Sequence, residues 1–128
     1  MKLIFYSADK NDFSSGLLEQ VRALVPLEKL VVCRDCQQLR GALLKPSYDL
    51  FAAILVASGR QDLLGLISMA ELLHSIRVIL ILPDRETETI SKGHALRPRF
   101  LTWPAPDSLE IISVLHKMLA NVKKCHGT

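Results

Sequence analysis

Two cysteines three residues apart are the first candidates for chemistry in this sequence. Cys33 and Cys36 enclose the segment CRDC, which has the Cys-x-x-Cys spacing of many redox-active pairs and of half a zinc site. No second Cys or His pair lies nearby to complete a zinc site, and the aromatic and proline neighbours usual for a redox pair are missing. The pattern favours structural roles at a strand end and a helix start, with thiol redox chemistry as the alternative.

The other polar residues form no recognised catalytic or metal-binding pattern. Ser58-Gly59 lacks the preceding glycine of a nucleophile elbow. The segment SADKNDFSSG, residues 7–16, has serines but no tight glycine-rich cradle for phosphate, so flavin or nucleotide binding there is a second alternative. We predict no metal, no cofactor and no enzymatic activity. The histidines are too far apart to form a metal site: His74, His94, His116 and His126.

Length and composition indicate one domain over residues 1–128, with a flexible tail at 123–128. No apolar run reaches the roughly 18 residues that span a bilayer, and the N-terminus becomes polar too soon for a signal peptide. Three cysteines argue against a disulfide scaffold. We therefore expect a cytoplasmic protein that does not bind membranes. The net charge of +3 is spread along the chain, with Arg97, Arg99 and Lys123-Lys124 as the nearest approach to a cluster, so no nucleic-acid binding is expected.

Five apolar runs alternate with five amphipathic segments, and these elements must position any site. The runs predict strands at residues 2–7, 29–33, 48–58, 77–82 and 99–103. Helices are predicted from 12 or 14 to 25, then at 35–45, 61–75, 86–95 and 107–122. This alternation predicts an α/β fold with a doubly wound parallel sheet in the flavodoxin-like order 2-1-3-4-5. Such sheets bind ligands at the carboxyl ends of strands 1 and 3.

The segment FLTWPAPDSLEIISVLHKML, residues 100–119, carries a likeness to a known family. Together with the element order and YDLF at 48–51, it resembles the receiver domain of two-component response regulators. Receivers end their fifth strand with a Lys-Pro pair, followed by a helix that an acidic residue opens. Pro104 matches this pattern, whereas Trp103 stands in place of the lysine.

The resemblance implies a site that has lost its reactive groups. A working receiver has an acidic pair after strand 1, a phosphoacceptor Asp at the end of strand 3, and a Ser or Thr after strand 4. The acidic pair maps to Ser7-Ala8 with Asp9 nearby, and the fourth-strand position to Leu82 or Pro83. The phosphoacceptor position falls on Ile54 or, with a longer strand, on Ala57 or Ser58. The degenerate site therefore comprises Ser7, Ala8, Asp9, Ala57, Ser58, Trp103 and Pro104.

These replacements exclude the phosphoryl chemistry of the family. Mg²⁺ is held by oxygen ligands, chiefly carboxylates, and an aspartyl phosphate requires a carboxylate nucleophile. We therefore predict a non-phosphorylatable pseudo-receiver that acts in signal transduction through protein–protein interaction. Trp103 is then either a packed plug of the former site or an exposed contact for a partner.

The last predicted helix is more apolar than its own core requires. Its apolar residues cover roughly 220° of the helical wheel, against the ~100° that a surface helix needs. We predict an interface there, with a second copy of the chain or another signalling protein, unless neighbouring loops cover the excess. The helix at 61–75 has spare apolar residues as well, namely Leu64, Met69 and Leu72. The predicted interface comprises Leu109, Ile111, Ile112, Val114, Leu115, Met118, Leu119 and Val122.

Overall fold

A five-stranded parallel sheet forms the centre of the protein. The computed structural model of the chain describes residues 2–7, 12–25, 27–44, 50–74, 76–103 and 111–118. Neighbouring strands pair in parallel in the order 2-1-3-4-5, which confirms the predicted α/β, doubly wound fold. The strands are β1 (Lys2–Ser7), β2 (Leu30–Cys33), β3 (Leu50–Val56), β4 (Arg77–Ile81) and β5 (Phe100–Thr102).

Helices cover both faces of this sheet. They are α1 (Asp12–Leu24), α2 (Cys36–Leu44), α3 (Arg60–Ile67), α4 (Ala70–Leu73), α5 (Thr87–Gly93) and α6, the helical residues 111–118. Short 3₁₀ turns precede β2 at Leu27–Lys29 and follow α5 at His94–Leu96. No helix within the described ranges is long and apolar enough to cross a membrane.

Two apolar cores lie on opposite faces of the sheet, because successive side chains of a strand point to opposite sides. The first core joins Leu3 and Phe5 of β1 to α1 and α6. The second core joins Ile4 and Tyr6 to α2, α3 and α4. The side chains of β3 from Ala52 to Val56 are buried on both faces, which explains its uninterrupted apolar sequence.

The start of α2 is fixed by hydrogen bonds that its own sequence provides. The carboxylate of Asp35 accepts the backbone N–H of Gln38 at 2.7 Å, as an N-cap does. The side-chain oxygen of Gln38 accepts the backbone N–H of Arg34 at 2.7 Å. This reciprocal arrangement resembles a capping box and starts the helix at Cys36, close behind the end of β2.

The predicted single helix at 61–75 is wrong in one respect, because the chain forms two helices there. The backbone of Met69 leaves the helical region, with φ −104° and ψ 15°, between α3 and α4. The hydroxyl of Ser68 donates to the carbonyl of Gly65 at 2.6 Å and stabilises the turn. The break turns Met69 into the second core, so Met69 is not a spare surface residue, whereas Leu64 is exposed as predicted.

Candidate functional site

The edge at which such sheets bind ligands lies where β1 and β3 end side by side. Ser7 pairs with Val56 in the sheet, and Ala57 follows with its N–H donating to the carbonyl of Ile81 at 2.9 Å. Ser7 and Ala57 are buried, at 1% and 3% exposure, whereas Ser58 is exposed. Of the other residues predicted for this site, Ala8, Asp9 and Pro104 lie outside the described residues.

The sheet register and the burial of β3 show where the residues that the receiver resemblance maps to the phosphoacceptor position lie. Ile54 lies in the middle of β3, opposite Phe5 of β1 and Ile79 of β4, and is fully buried. A group there faces the first core rather than the rim of the sheet. Ala57 directly follows Val56, the last residue of β3, and Ser58 comes next on the surface.

A carboxylate does lie near this edge, on α3 rather than on a strand. Asp62 is half-buried, and its Oδ1 accepts the hydroxyl of Tyr6. Its Oδ2 accepts both the backbone N–H of Ser58, at 3.0 Å, and the Ser58 hydroxyl, at 3.2 Å. Both oxygens of Asp62 are thus occupied in joining β1, the end of β3 and α3.

Cys36 completes this polar cluster. Its Sγ lies 3.4 Å from the Tyr6 hydroxyl and 3.9 Å from Asp62 Oδ1. The half-buried thiol also borders a cleft of about 250 Å³ between α2 and α3, whose other lining residues include Arg40 and Met69. Burial is the main reason that the pKa of the Tyr6 phenol lies above its ordinary value, and the hydrogen bonds to Asp62 and Cys36 raise it further. Tyr6 therefore stays protonated and acts as a hydrogen-bond donor.

The other cysteine of the CRDC segment is a core residue. Cys33 is 2% exposed and belongs to the second core. Burial, with a smaller contribution from Asp35, raises the pKa of the Cys33 thiol to about 11. Thiol redox chemistry requires a thiolate, so this environment disfavours it at neutral pH. Both cysteines are free thiols in the structure.

Trp103 is half-buried and packs against the second core. The guanidinium of Arg85 lies over the ring, 5.1 Å from its centroid, in a cation–π contact. The indole Nε1 is buried without a hydrogen-bond partner among the described residues. The ring therefore occupies the end of β5 as a packed group covered by an arginine from the loop after β4.

Charged side chains next to this edge pair with one another. Arg60, at the start of α3, contacts Glu86 and lies 3.4 Å from a carboxylate oxygen of Glu88. Lys92 lies 3.5 Å from the other oxygen of Glu88. These contacts link the loop after β3 to the start of α5. All four side chains retain solvent contact, so the pairs contribute little to stability.

Asp84 belongs to the same loop. The nearby Thr89 hydroxyl, then the backbone N–H of Glu86, lowers the pKa of the Asp84 carboxyl below its usual value. Of these two groups the Glu86 N–H makes the well-formed hydrogen bond, since Thr89 Oγ1 is buried without one among the described residues. That N–H donates to Asp84 Oδ1 at 3.0 Å. Within the described ranges, no three His, Cys, Asp or Glu side chains come close enough together to hold a metal ion.

The Tyr6–Cys36–Asp62 cluster was not predicted from the sequence, although a signal for it exists. Tyr6 is the penultimate residue of β1, Cys36 begins α2 and Asp62 lies in the first turn of α3. In a 2-1-3-4-5 sheet these positions share one edge. Chemistry-bearing residues at strand ends and helix starts therefore merit joint consideration even where no motif connects them.

The last helix contributes less exposed apolar surface than predicted. Ile111, Leu115 and Met118 are buried against the first core, so their side chains are covered within the chain itself. Ile112 and Val114 also pack against that core but stay partly exposed, and they are the accessible part of the predicted interface. Leu109, Leu119 and Val122 lie outside the described residues.

Comparison of the chain with protein-family models, curated proteins and solved structures returns no match. The features of this protein that bear on its function are therefore the geometry of the two sheet edges and the side chains that lie there.

Proposed function

We propose that the protein is a non-phosphorylatable pseudo-receiver, a cytoplasmic signal-transduction module that acts by binding another protein rather than by catalysis. The observation that carries the proposal is the identity and burial of Ala57. This residue directly follows β3, where a receiver holds its phosphoacceptor, and its methyl group is 3% exposed. An alanine has no nucleophilic atom, so no aspartyl phosphate can form there.

The neighbouring charges support the same reading. Asp62 is the carboxylate nearest to Ser58 in the described cluster, and its oxygens accept hydrogen bonds from Tyr6 and Ser58. Arg60 pairs with Glu86 and Glu88, so this cation is engaged within the chain. An incoming phosphoryl group would have to displace these contacts.

A domain without phosphoryl chemistry can still act by binding a partner protein through a complementary surface. The partner is a second copy of the chain or another signalling protein, and the proposed contact includes α6 with Ile112 and Val114 at its accessible side. Leu64, at 48% exposure on α3, offers a separate apolar contact. The thiol-redox alternative has less support, because the pKa of Cys33 is raised to about 11. A flavin, the other alternative, would colour the purified protein.

The proposal is tested by incubating the protein with Mg²⁺ and a small phosphodonor, followed by intact-mass spectrometry. We expect no phosphoryl adduct under conditions that label a phosphorylatable receiver fully, since that receiver serves as the positive control. An adduct that hydroxylamine removes would be an acyl phosphate and would overturn the proposal. Asp62→Asn and Asp9→Asn variants would then locate the modified carboxylate.

A further inference from the structure

A group of cationic side chains lies at the opposite edge of the sheet, where β4 and β5 begin. Arg77 is the first residue of β4, and Arg99 directly precedes β5. The backbone N–H of Arg99 donates to the carbonyl of Val78 at 2.8 Å, which fixes the two strand starts side by side. Arg97 lies two residues before Arg99, and His74 follows α4.

These four residues, together with Ile76, line one cleft of about 340 Å³. Among the described residues, no carboxylate pairs with any of the three arginines, in contrast to Arg60 at the other edge. Three like charges around one cleft repel each other. An anion in the cleft would offset that repulsion and would accept hydrogen bonds from the guanidinium groups.

The backbone at Arg97 gives a second, independent indication. Arg97 has φ 49° and ψ 54°, and it is the non-glycine residue with positive φ in the part of the chain that the structure describes. It ends the 3₁₀ turn at His94–Leu96, a position where glycine or asparagine is preferred. Residues in such conformations carry a backbone cost and are enriched at active sites and ligand-binding sites. The backbone at Arg97 therefore supports a binding role for this turn, which the arginines of the cleft, unpaired among the described residues, indicate independently.

We propose that this cleft binds a small ligand with two or more linked phosphate groups. Guanidinium groups bind phosphate oxygens in a bidentate manner. A phosphate group carries a charge of about −1.5 to −2 at neutral pH, so three arginines match about two such groups. The cleft volume lies at the small end of the range for small-molecule sites, about 300 to 1,000 Å³. A nucleic-acid surface would instead extend as a basic stripe.

The test is calorimetric titration of the full chain with inorganic triphosphate at low salt. We expect saturable binding that Arg97→Asn and Arg99→Gln each weaken at least about tenfold, since each removes a charged hydrogen-bond donor. Arg22→Gln, at the end of α1, makes the same charge change elsewhere and should stay within about twofold of the wild type. Thermal unfolding should show Arg97→Asn at least as stable as the wild type, because asparagine tolerates this backbone better.

Further titrants distinguish the sources of the phosphate. Binding of ADP and of pyrophosphate at similar strength supports a site that recognises the linked phosphates, and tighter binding of ADP supports a nucleotide ligand of the same class. Tighter binding of a single-stranded oligonucleotide than of triphosphate would overturn the small-ligand proposal. The absence of triphosphate binding at millimolar concentration, or an equal loss in Arg22→Gln, would overturn it as well. None of these outcomes bears on phosphorylation at the other edge.

Discussion

At the scale of single residues, neighbours decide what each side chain can do. Cys33 and Cys36 are three positions apart, yet one is a core residue and the other borders a surface cleft. Asp62 is an acidic group at a receiver-like edge, but its hydrogen bonds make it a structural link between β1, Ser58 and α3. Residue type alone therefore does not assign chemistry at this edge.

The buried thiol of Cys33 should make folding stability depend on alkaline pH. Its pKa rises from the ordinary 9.0 to about 11 on folding, so between these values the unfolded chain binds fewer protons. The stabilisation is complete below pH 9.0 and is lost as pH rises through about 11. One group contributes a slope of up to about 1.4 kcal/mol per pH unit.

Urea unfolding between about pH 8 and about pH 11 checks this expectation. The free energy of unfolding of Cys33→Ala should fall less steeply with pH than that of the wild type. Tyr6, whose pKa is also raised on folding, contributes the same pH dependence of stability in both proteins, so the difference between their slopes is due to Cys33. Equal slopes would contradict the assignment of the raised pKa to Cys33.

The cluster of Tyr6, Cys36 and Asp62 shows which features of the site could be predicted from the sequence and which could not. The sequence predicts correctly that the ends of β1 and β3 lie side by side at one edge of the sheet. It does not predict that the Tyr6 hydroxyl reaches Asp62, because that contact depends on how closely α3 packs on β1. Sequence periodicity predicts which face of an element is buried, but it does not predict the distances between side chains of different elements.

At the scale of elements, α5 packs on the sheet through a glycine. A Cβ at Gly93 would lie 3.0 Å from Leu82 Cδ2, 3.1 Å from Leu101 Cδ1 and 3.2 Å from Leu80 Cδ2. Three leucine methyl groups thus close around the helix backbone. The absence of a side chain at Gly93 sets the distance between α5 and the β4–β5 pair.

We expect Gly93→Ala to lower the free energy of unfolding by about 1 to 2 kcal/mol, because overpacking outweighs the gain in helix propensity. Gly16→Ala is the matched control in α1, where a Cβ would meet nothing within 4 Å. It should raise stability by about 0.5 to 1 kcal/mol. Denaturant unfolding of both variants measures the difference. Equal effects of the two substitutions would show that α5 does not pack as closely as described.

Element order was more predictable than element detail. The strand of residues 2–7 matches β1 residue for residue, and the five strands pair in the predicted order. The break at Met69 was missed because apolar residues continue at helical spacing through it. A turn stabilised by Ser68 and by burial of Met69 has no strong sequence signal, unlike one made by proline or glycine.

At the scale of the whole molecule, the two edges of the sheet differ in how their charges are balanced. Two described cations beside the carboxyl ends of the strands, Arg60 and Arg85, contact Glu86, Glu88 and Trp103 of the same chain. The arginines that line the cleft at the amino ends have no such partners among the described residues. The positive charge of Arg60 is therefore balanced within the chain, whereas no described carboxylate balances that of the arginine cleft.

The proposed self-association through α6 is a property of the whole molecule, and light scattering tests it. We expect a dimer for the wild type at about 100 µM and a monomer for Ile112→Lys, because a charge in the partly exposed contact would be desolvated on association. Ser113→Lys, at the exposed neighbouring position, should stay dimeric. Leu115 is unsuitable for this test, because it is fully buried in the core.

A monomeric wild type at that concentration, or equal masses for the two variants, would contradict self-association through α6. Thermal unfolding of Ile112→Lys is needed beside the mass measurement, since this residue also packs against the first core. A folded monomer separates loss of the interface from loss of the fold.

The burial of Ala57 has a consequence for any attempt to introduce an aspartyl nucleophile at the end of β3. An aspartate introduced there alone would be largely shielded from water and would face no lysine at the end of β5, where Trp103 packs instead. Such a carboxylate is costly to ionise, and its pKa would rise until it lost much of its nucleophilicity. Ala57→Asp alone is therefore not expected to confer aspartyl phosphorylation on this chain.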